Sequence, residues 1–261
     1  MVKILLGEVA KEFVQLKLAK ADGVSGVLLV GSSSLGYADS SSDIDLEVFV
    51  TKKLYNKMRR TCETYESYRR TDVSWEWMTL QELEDTLRDW RDDVDLWIYS
   101  KSTILLDSGG KLKNVLARYK QYPKKIWLEK LFLYWYYATG QAPYDSGKAM
   151  QRKDLVIAQL HLTQAMEYYT ALIFILNRNF VPYRKWRLRE LEKLKYRPTD
   201  YRHMLRKILT TTKWTKQEFE AKQDIINNLV SELEKKLLEC GVTKEKLENP
   251  WKFKVTSAPR I

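Results

Sequence analysis

"VLLVGSSSLGYADSSSDIDLEVFV", residues 27–50, carries an apolar run to Gly31-Ser32, crosses serines at 32–34 and 40–42, and resumes around two aspartates one residue apart, Asp43 and Asp45. Val24 to Val30 is short, apolar and β-branched, and reads as a strand. Ile44 to Thr51 alternates, with Ile44, Leu46, Val48 and Val50 on one side and Asp43, Asp45, Glu47 and Phe49 on the other. Unpaired carboxylates buried on one strand face cost on the order of several kcal/mol each, so something must compensate their charge. Glycine at the end of the first strand permits close backbone approach, free N–H groups at a helix start point toward an anion such as a triphosphate, and Ser32 adds a hydroxyl donor. Asp43 and Asp45 stand about 7 Å apart along their strand. Carboxylates so placed can share a hard cation, and Mg²⁺ favours one or two carboxylates completed by phosphate oxygens.

Working outward, Ile4 to Leu18 has helical spacing and Ala21-Asp22-Gly23 supplies its stop. "RTDVSWEWMT", residues 70–79, is a third strand with Asp72, Ser74 and Glu76 on one face and Val73, Trp75 and Trp77 on the other. "LQELEDTLRDW" reads as a helix, and "VDLWIYSKSTILLDSGG", residues 94–110, supplies a fourth strand closed by a turn at Asp107-Ser108-Gly109-Gly110. A carboxylate from the third strand completes the site, either as a metal ligand or as a general base. Spacing leaves the choice between Asp72 and Glu76 open.

Beyond residue 110 the pattern changes to helical segments broken at Pro123, Gly140 to Pro143, Pro182 and Pro198. Leu155 to Leu176 is apolar nearly all round, as in the central helix of a bundle, and Ile226, Leu229, Val230, Leu233 and Leu237 form a stripe on a late helix. The aromatic run at 131–140 reads as bundle core, and the last twenty residues, with Pro250 and Pro259, as irregular. The expected fold is therefore α+β: a small mixed-sheet domain over 1–110 followed by an all-helical bundle domain over 111–261.

Composition narrows the chemistry. Cys62 and Cys240 are the only cysteines and stand far apart, which suggests neither a disulfide framework nor a zinc site; His161 and His203 are too few for a histidine-rich metal centre or a serine triad. Catalysis then rests on carboxylates. No run of eighteen apolar residues and no signal-like leader appears, so a cytoplasmic protein without a membrane partner is expected. The net charge is +11, and twelve Lys and Arg against three acids between Val181 and Lys216 place most of it there. That concentration points to an anionic partner, with Tyr183, Trp186 and Tyr196 interleaved for stacking.

"GSSSLGYADSSSDIDL" resembles the signature of the polymerase-beta-type nucleotidyltransferase superfamily, in which Gly-Ser precedes Asp-x-Asp by about a dozen residues. The resemblance implies Gly31 and Ser32, with Ser42, for the triphosphate, and Asp43 and Asp45 for Mg²⁺, two ions in all. It favours Asp72, in "RTDV", as the third carboxylate and metal ligand, with Glu76 second. Leu35 departs from it, since many relatives carry Arg or Tyr there. The helical half, with "ILNRNFVPYRKW", is similar to that of adenylyltransferases of the aminoglycoside-modifying kind. There, basic residues of the helical domain touch the triphosphate, which nominates Lys148, Arg152, Lys153 and Lys185.

The expected activity is transfer of a nucleoside monophosphate, AMP first among them, from a Mg²⁺-bound triphosphate such as ATP to an acceptor hydroxyl on a small molecule, RNA or protein. Pyrophosphate leaves, and the enzyme can be a homodimer. The alternative is a non-catalytic nucleic-acid-binding or adaptor protein on the same fold.

Overall fold

The computed structural model describes residues 2–58 and 64–253, and the chain divides into two compact units, Met1–Lys120 and Gln121–Ile261. Cys62 and Pro259 lie outside the described residues.

The first unit is built on five strands: β1 (Val24–Val30), β2 (Ile44–Val50), β3 (Tyr65–Tyr68), β4 (Thr71–Met78) and β5 (Thr103–Asp107). Their order is β3-β4-β2-β1-β5; β2 and β4 run parallel and the other neighbours antiparallel, so the sheet is mixed. Its helices are α1 (Val2–Phe13), α2 (Gly31–Leu35), α3 (Lys52–Met58), α4 (Leu80–Arg88), α5 (Asp93–Lys101) and α6 (Lys111–Arg118). A wider π turn, Val14–Leu18, extends α1 where a regular helix is expected from the spacing.

Alternation divides the sheet's two faces. Val27, Leu29, Ile44, Leu46, Val48, Val50 and Val73 join Val9, Ala10, Phe13, Val14 and Leu18 in one apolar core, with Trp75 and Trp77 against it. The opposite face carries Leu28, Val30, Asp45, Glu47, Ser74 and Glu76, fixed by the pairings Val30 with Asp45 with Ser74 and Leu28 with Glu47 with Glu76.

Several expectations need correction here. Residues 94–101 are helical, and only Thr103–Asp107 of that stretch is strand. The cause is a cap: the Asp92 side chain accepts hydrogen bonds from the N–H groups of Val94 and Asp95, satisfying donors that a helix start otherwise leaves unpaired. The second correction is a fifth strand, β3, which forms a hairpin with β4 through Arg69 and Arg70, both in the left-handed region. The helix α6, grouped with the helical half by its sequence, belongs to the first unit; Leu112 lies over Gly26, and Asp107 accepts from the N–H groups of Leu112 and Lys113.

The second unit is helical among the described residues: α7 (Lys124–Thr139), α8 (Gly147–Gln151), α9 (Leu155–Leu176), α10 (Arg184–Leu191), α11 (Tyr201–Leu209), α12 (Lys216–Cys240) and α13 (Lys244–Glu248). The chain does not break at Gly140–Pro143; a π-helical stretch, Gly140–Ser146, joins α7 to α8. Nor is 242–253 wholly irregular, since α13 and a 3₁₀ turn at Pro250–Lys252 occupy it. Asp154 caps α9, whose second half is buried on nearly every side, and the Trp127 indole of α7 donates to the Ile175 carbonyl. The stripe Ile226, Leu229, Val230, Leu233 and Leu237 is buried, as its periodicity predicts.

Within this core Tyr169 is fully buried, stacks on Tyr201, and its hydroxyl has no hydrogen-bond partner. An orphaned buried hydroxyl loses its hydration without return, a penalty of about 1–3 kcal/mol. Tyr169→Phe is therefore expected to leave stability unchanged or raise it by about 1 kcal/mol in urea denaturation, the reverse of an ordinary core substitution; a loss above about 1 kcal/mol contradicts this.

Candidate active site

The end of β1 and the starts of β2 and β4 meet at one end of the sheet, across its central strands. Val30 is extended, and Gly31 turns the chain into α2 with φ of +68°, a left-handed conformation that glycine adopts without steric cost. A second constraint acts on the same residue. A Cβ at position 31 would collide with Asp45 Oδ2 and lie 3.1 Å from its Cγ, so the carboxylate is pressed against the Gly31 backbone. Asp45 Oδ1 accepts a 3.1 Å hydrogen bond from Ser74 Oγ, its partner across the parallel β2–β4 pair.

The serines divide into distinct roles. Ser32 and Ser33 are buried; Ser33 Oγ donates to the backbone carbonyl of Asp43 at 2.9 Å, which ties α2 to the start of β2, and Ser34 Oγ donates to the Gly31 carbonyl. Ser42 is engaged within its own loop, where its hydroxyl accepts from the Asp39 N–H and donates to Asp39 Oδ1. Ser41 also donates to that carboxylate, and these bonds hold Asp39 below its usual pKa.

Asp43 is exposed. Ile44 pairs with Val73, so Asp43 and Asp72 each stand one residue before that pair, at the heads of two parallel strands. Asp72 is exposed and accepts from the Tyr65 hydroxyl, which raises the pKa of that phenol. Glu76 is exposed, two residues beyond Ser74. Among the described residues no three carboxylate, histidine or cysteine side chains come together as a metal-binding group.

A further carboxylate, absent from the sequence candidates, lies deeper on the same face. Glu47 Oε1 accepts from the Tyr99 hydroxyl of α5 at 3.1 Å, while the buried Oε2 has no hydrogen-bond partner. Burial pushes the Glu47 pKa up to about 7; the Tyr99 bond opposes this, and the charges of Glu76 and Asp95 add to it. The strand alternation already put Glu47 in line with Asp43 and Asp45, but nothing local showed that α5 would cover it.

Lys148, Arg152, Lys153 and Lys185 belong to the second unit and are all exposed. Lys148 of α8 lies over the Tyr144 ring, 3.9 Å from its centre, and Lys185 of α10 lies near the rings of Tyr183 and Trp186. Arg152 and Lys153 form the turn after α8, where Lys153 is left-handed.

Comparison with known proteins agrees with this architecture. A nucleotidyltransferase-like protein from Exiguobacterium sibiricum 255-15 has a similar fold, with a TM-score of 0.55 and 14% sequence identity over 88% of this chain and 78% of that one. The fold is thus nucleotidyltransferase-like. Residues 92–187 match a family described as a domain of unknown function, DUF4037. No curated protein matches the chain. Among the described residues no helix is long and apolar enough to cross a membrane.

Proposed function

We propose that the protein is a Mg²⁺-dependent nucleotidyltransferase that moves a nucleoside monophosphate, AMP in the first instance, from a nucleoside triphosphate to an acceptor hydroxyl and releases pyrophosphate. One observation carries the reading: the Gly31 backbone, at the end of a strand, is packed against the carboxylate of Asp45, itself held by Ser74. A chain that only needed a turn here would not require a glycine fitted to a carboxylate.

The donor set suits Mg²⁺, because Asp43 and Asp45 offer oxygen ligands only and the ion commonly takes one or two carboxylates and fills its remaining positions with phosphate oxygens and water. When bound, Mg²⁺ would neutralise the triphosphate and stabilise charge on the transferred phosphoryl group. Ser74 limits the Asp45 carboxylate to one orientation. Gly31, lacking a side chain, and the Ser32 hydroxyl would bind the β- and γ-phosphates. Asp72, at the head of β4, would be a third ligand or the base that takes the acceptor proton; Glu76 is the other choice. The bond from the acceptor oxygen to the α-phosphorus forms as the bond from that phosphorus to the bridging oxygen breaks, and pyrophosphate carries the electron pair away.

The test is incubation with each α-³²P nucleoside triphosphate, Mg²⁺ and cell extract, with Asp43→Asn in parallel. Label entering RNA, protein or a small molecule with the wild type, and falling at least about a hundredfold in the variant, is expected for a residue that holds the reacting groups. Intact Mg²⁺-dependent triphosphate binding and turnover in Asp43→Asn would end the proposal.

A further inference from the structure

The strongly basic stretch 181–216 does not act as one surface, because the fold uses its two halves differently. On α10 and in the turn after it, several cations are engaged within the protein: Arg187 is buried and donates through Nε and Nη2 to the Pro182 carbonyl, Arg184 pairs with Glu167 at 2.7 Å, and Lys193, just beyond the helix, pairs with Glu190 at 2.6 Å. The α11 helix is arranged otherwise. Tyr201 and Ile208 are buried, which leaves Arg202, His203, Arg206 and Lys207 exposed on the outward side. Arg202 meets Glu192, but Arg206 and Lys207 have no ion pair among the described residues, and neither does Lys213 in the loop that follows.

That loop also presents an aromatic ring. Trp214 is 54% exposed, sits between Lys213 and Lys216 in sequence, and is backed by the fully buried Phe219 with ring centres 5.6 Å apart. Between residues 200 and 216 there are five Lys and Arg against one acid, Asp200. An indole held by a buried ring and flanked by cations meets two needs of an unpaired polynucleotide, stacking for a base and charge for its phosphates. A membrane surface fits less well: on α11 Tyr201 and Ile208 are buried and Met204 and Leu205 half-buried, so Leu209 is its one exposed apolar residue and no continuous apolar helix face remains for acyl chains.

We propose that the outward face of α11 and the loop 210–216 bind single-stranded nucleic acid, with Arg206, Lys207 and Lys213 on phosphates and Trp214 stacked on a base. This surface is inferred from the second unit alone and does not rest on the transferase reading.

The test uses the full chain, without nucleotide, and a fluorescein-labelled 20-nucleotide oligouridine RNA followed by anisotropy across a salt series. Three phosphate contacts predict that log K falls against log salt with a slope of about −2, at about 0.7 per phosphate on a single strand. Arg206→Ala/Lys207→Ala is expected to weaken binding and reduce the slope to about one third, whereas Trp214→Ala weakens it about tenfold with the slope unchanged. Lys124→Ala/Lys125→Ala, at the exposed start of α7, serves as a charge-matched control and keeps wild-type binding. Circular dichroism checks that each variant folds. Absent RNA binding, or binding that these substitutions leave intact, overturns the proposal; so does sedimentation with phosphatidylserine vesicles that depends on the same residues while RNA is ignored.

Discussion

Gly31→Ala is expected to remove Mg²⁺-dependent triphosphate binding and to lower nucleotide transfer by about a hundredfold or more. Two effects combine. A non-glycine residue held at a φ of +68° is strained by on the order of 1–2 kcal/mol, and the new methyl group meets the Asp45 carboxylate. Asp45 must then leave its place beside Ser74, so the carboxylate proposed to hold the metal is displaced even when the protein folds. Gly110→Ala separates the two contributions. Its φ of +71° imposes the same backbone strain, yet nothing lies within 4 Å of the added Cβ. A thermal melt should record the strain alone in Gly110→Ala and a larger loss of stability in Gly31→Ala, and transfer should fail in Gly31→Ala alone. Equal activity in the two would show that the approach of Gly31 to Asp45 has no part in the chemistry.

Glu47→Gln is expected to stabilise the first unit at alkaline pH and change little under acid conditions. The carboxyl titrates near 7 in the folded protein against an ordinary value of 4.5, so between those values the native state retains a proton that the unfolded chain has released. Stability contributed by the protonated group is fully present below pH 4.5, falls as pH rises toward 7, and is then flat; the full difference is on the order of 3 kcal/mol. Glutamine carries no charge at any of these pH values and keeps an acceptor for Tyr99. Its amide donor faces a neighbourhood that already holds the acceptors Glu76 and Asp95. In EDTA, a melting temperature higher than wild type by several degrees at pH 8, shrinking toward zero at pH 4.5, is the expected result. An offset independent of pH would mean that Glu47 is solvated and not desolvated beneath α5.

The neighbourhood of the candidate site was legible wherever its signals were local. A short β-branched apolar run and an alternating run separated by Gly-Ser placed β1, α2 and β2 in order, and period two in the second put Asp43, Asp45 and Glu47 on one side without any tertiary information. The buried α12 stripe and the helical second half followed from periodicity in the same way. The stretch 94–101 did not, because its apolar content suits a strand or a helix equally and the deciding group, the Asp92 carboxylate, lies just outside it. The short hairpin strand β3 carries too few residues for alternation to reveal it.

What the residues determine alone is which chemistry is available: carboxylates on a strand, a glycine and serines before them, and an excess of positive charge downstream. The tertiary structure decides which of these groups meet or remain open to a partner. The parallel register of β2 with β4 gives Asp45 its hydrogen bond from Ser74, and α5 buries Glu47 until its proton is held near neutrality. The packing of α10 and α11 leaves Arg206, Lys207 and Trp214 outward while Arg187 turns inward. The physical reason is range: periodicity and capping act over a few residues, whereas strand pairing, desolvation and ion pairing depend on neighbours that are distant along the chain.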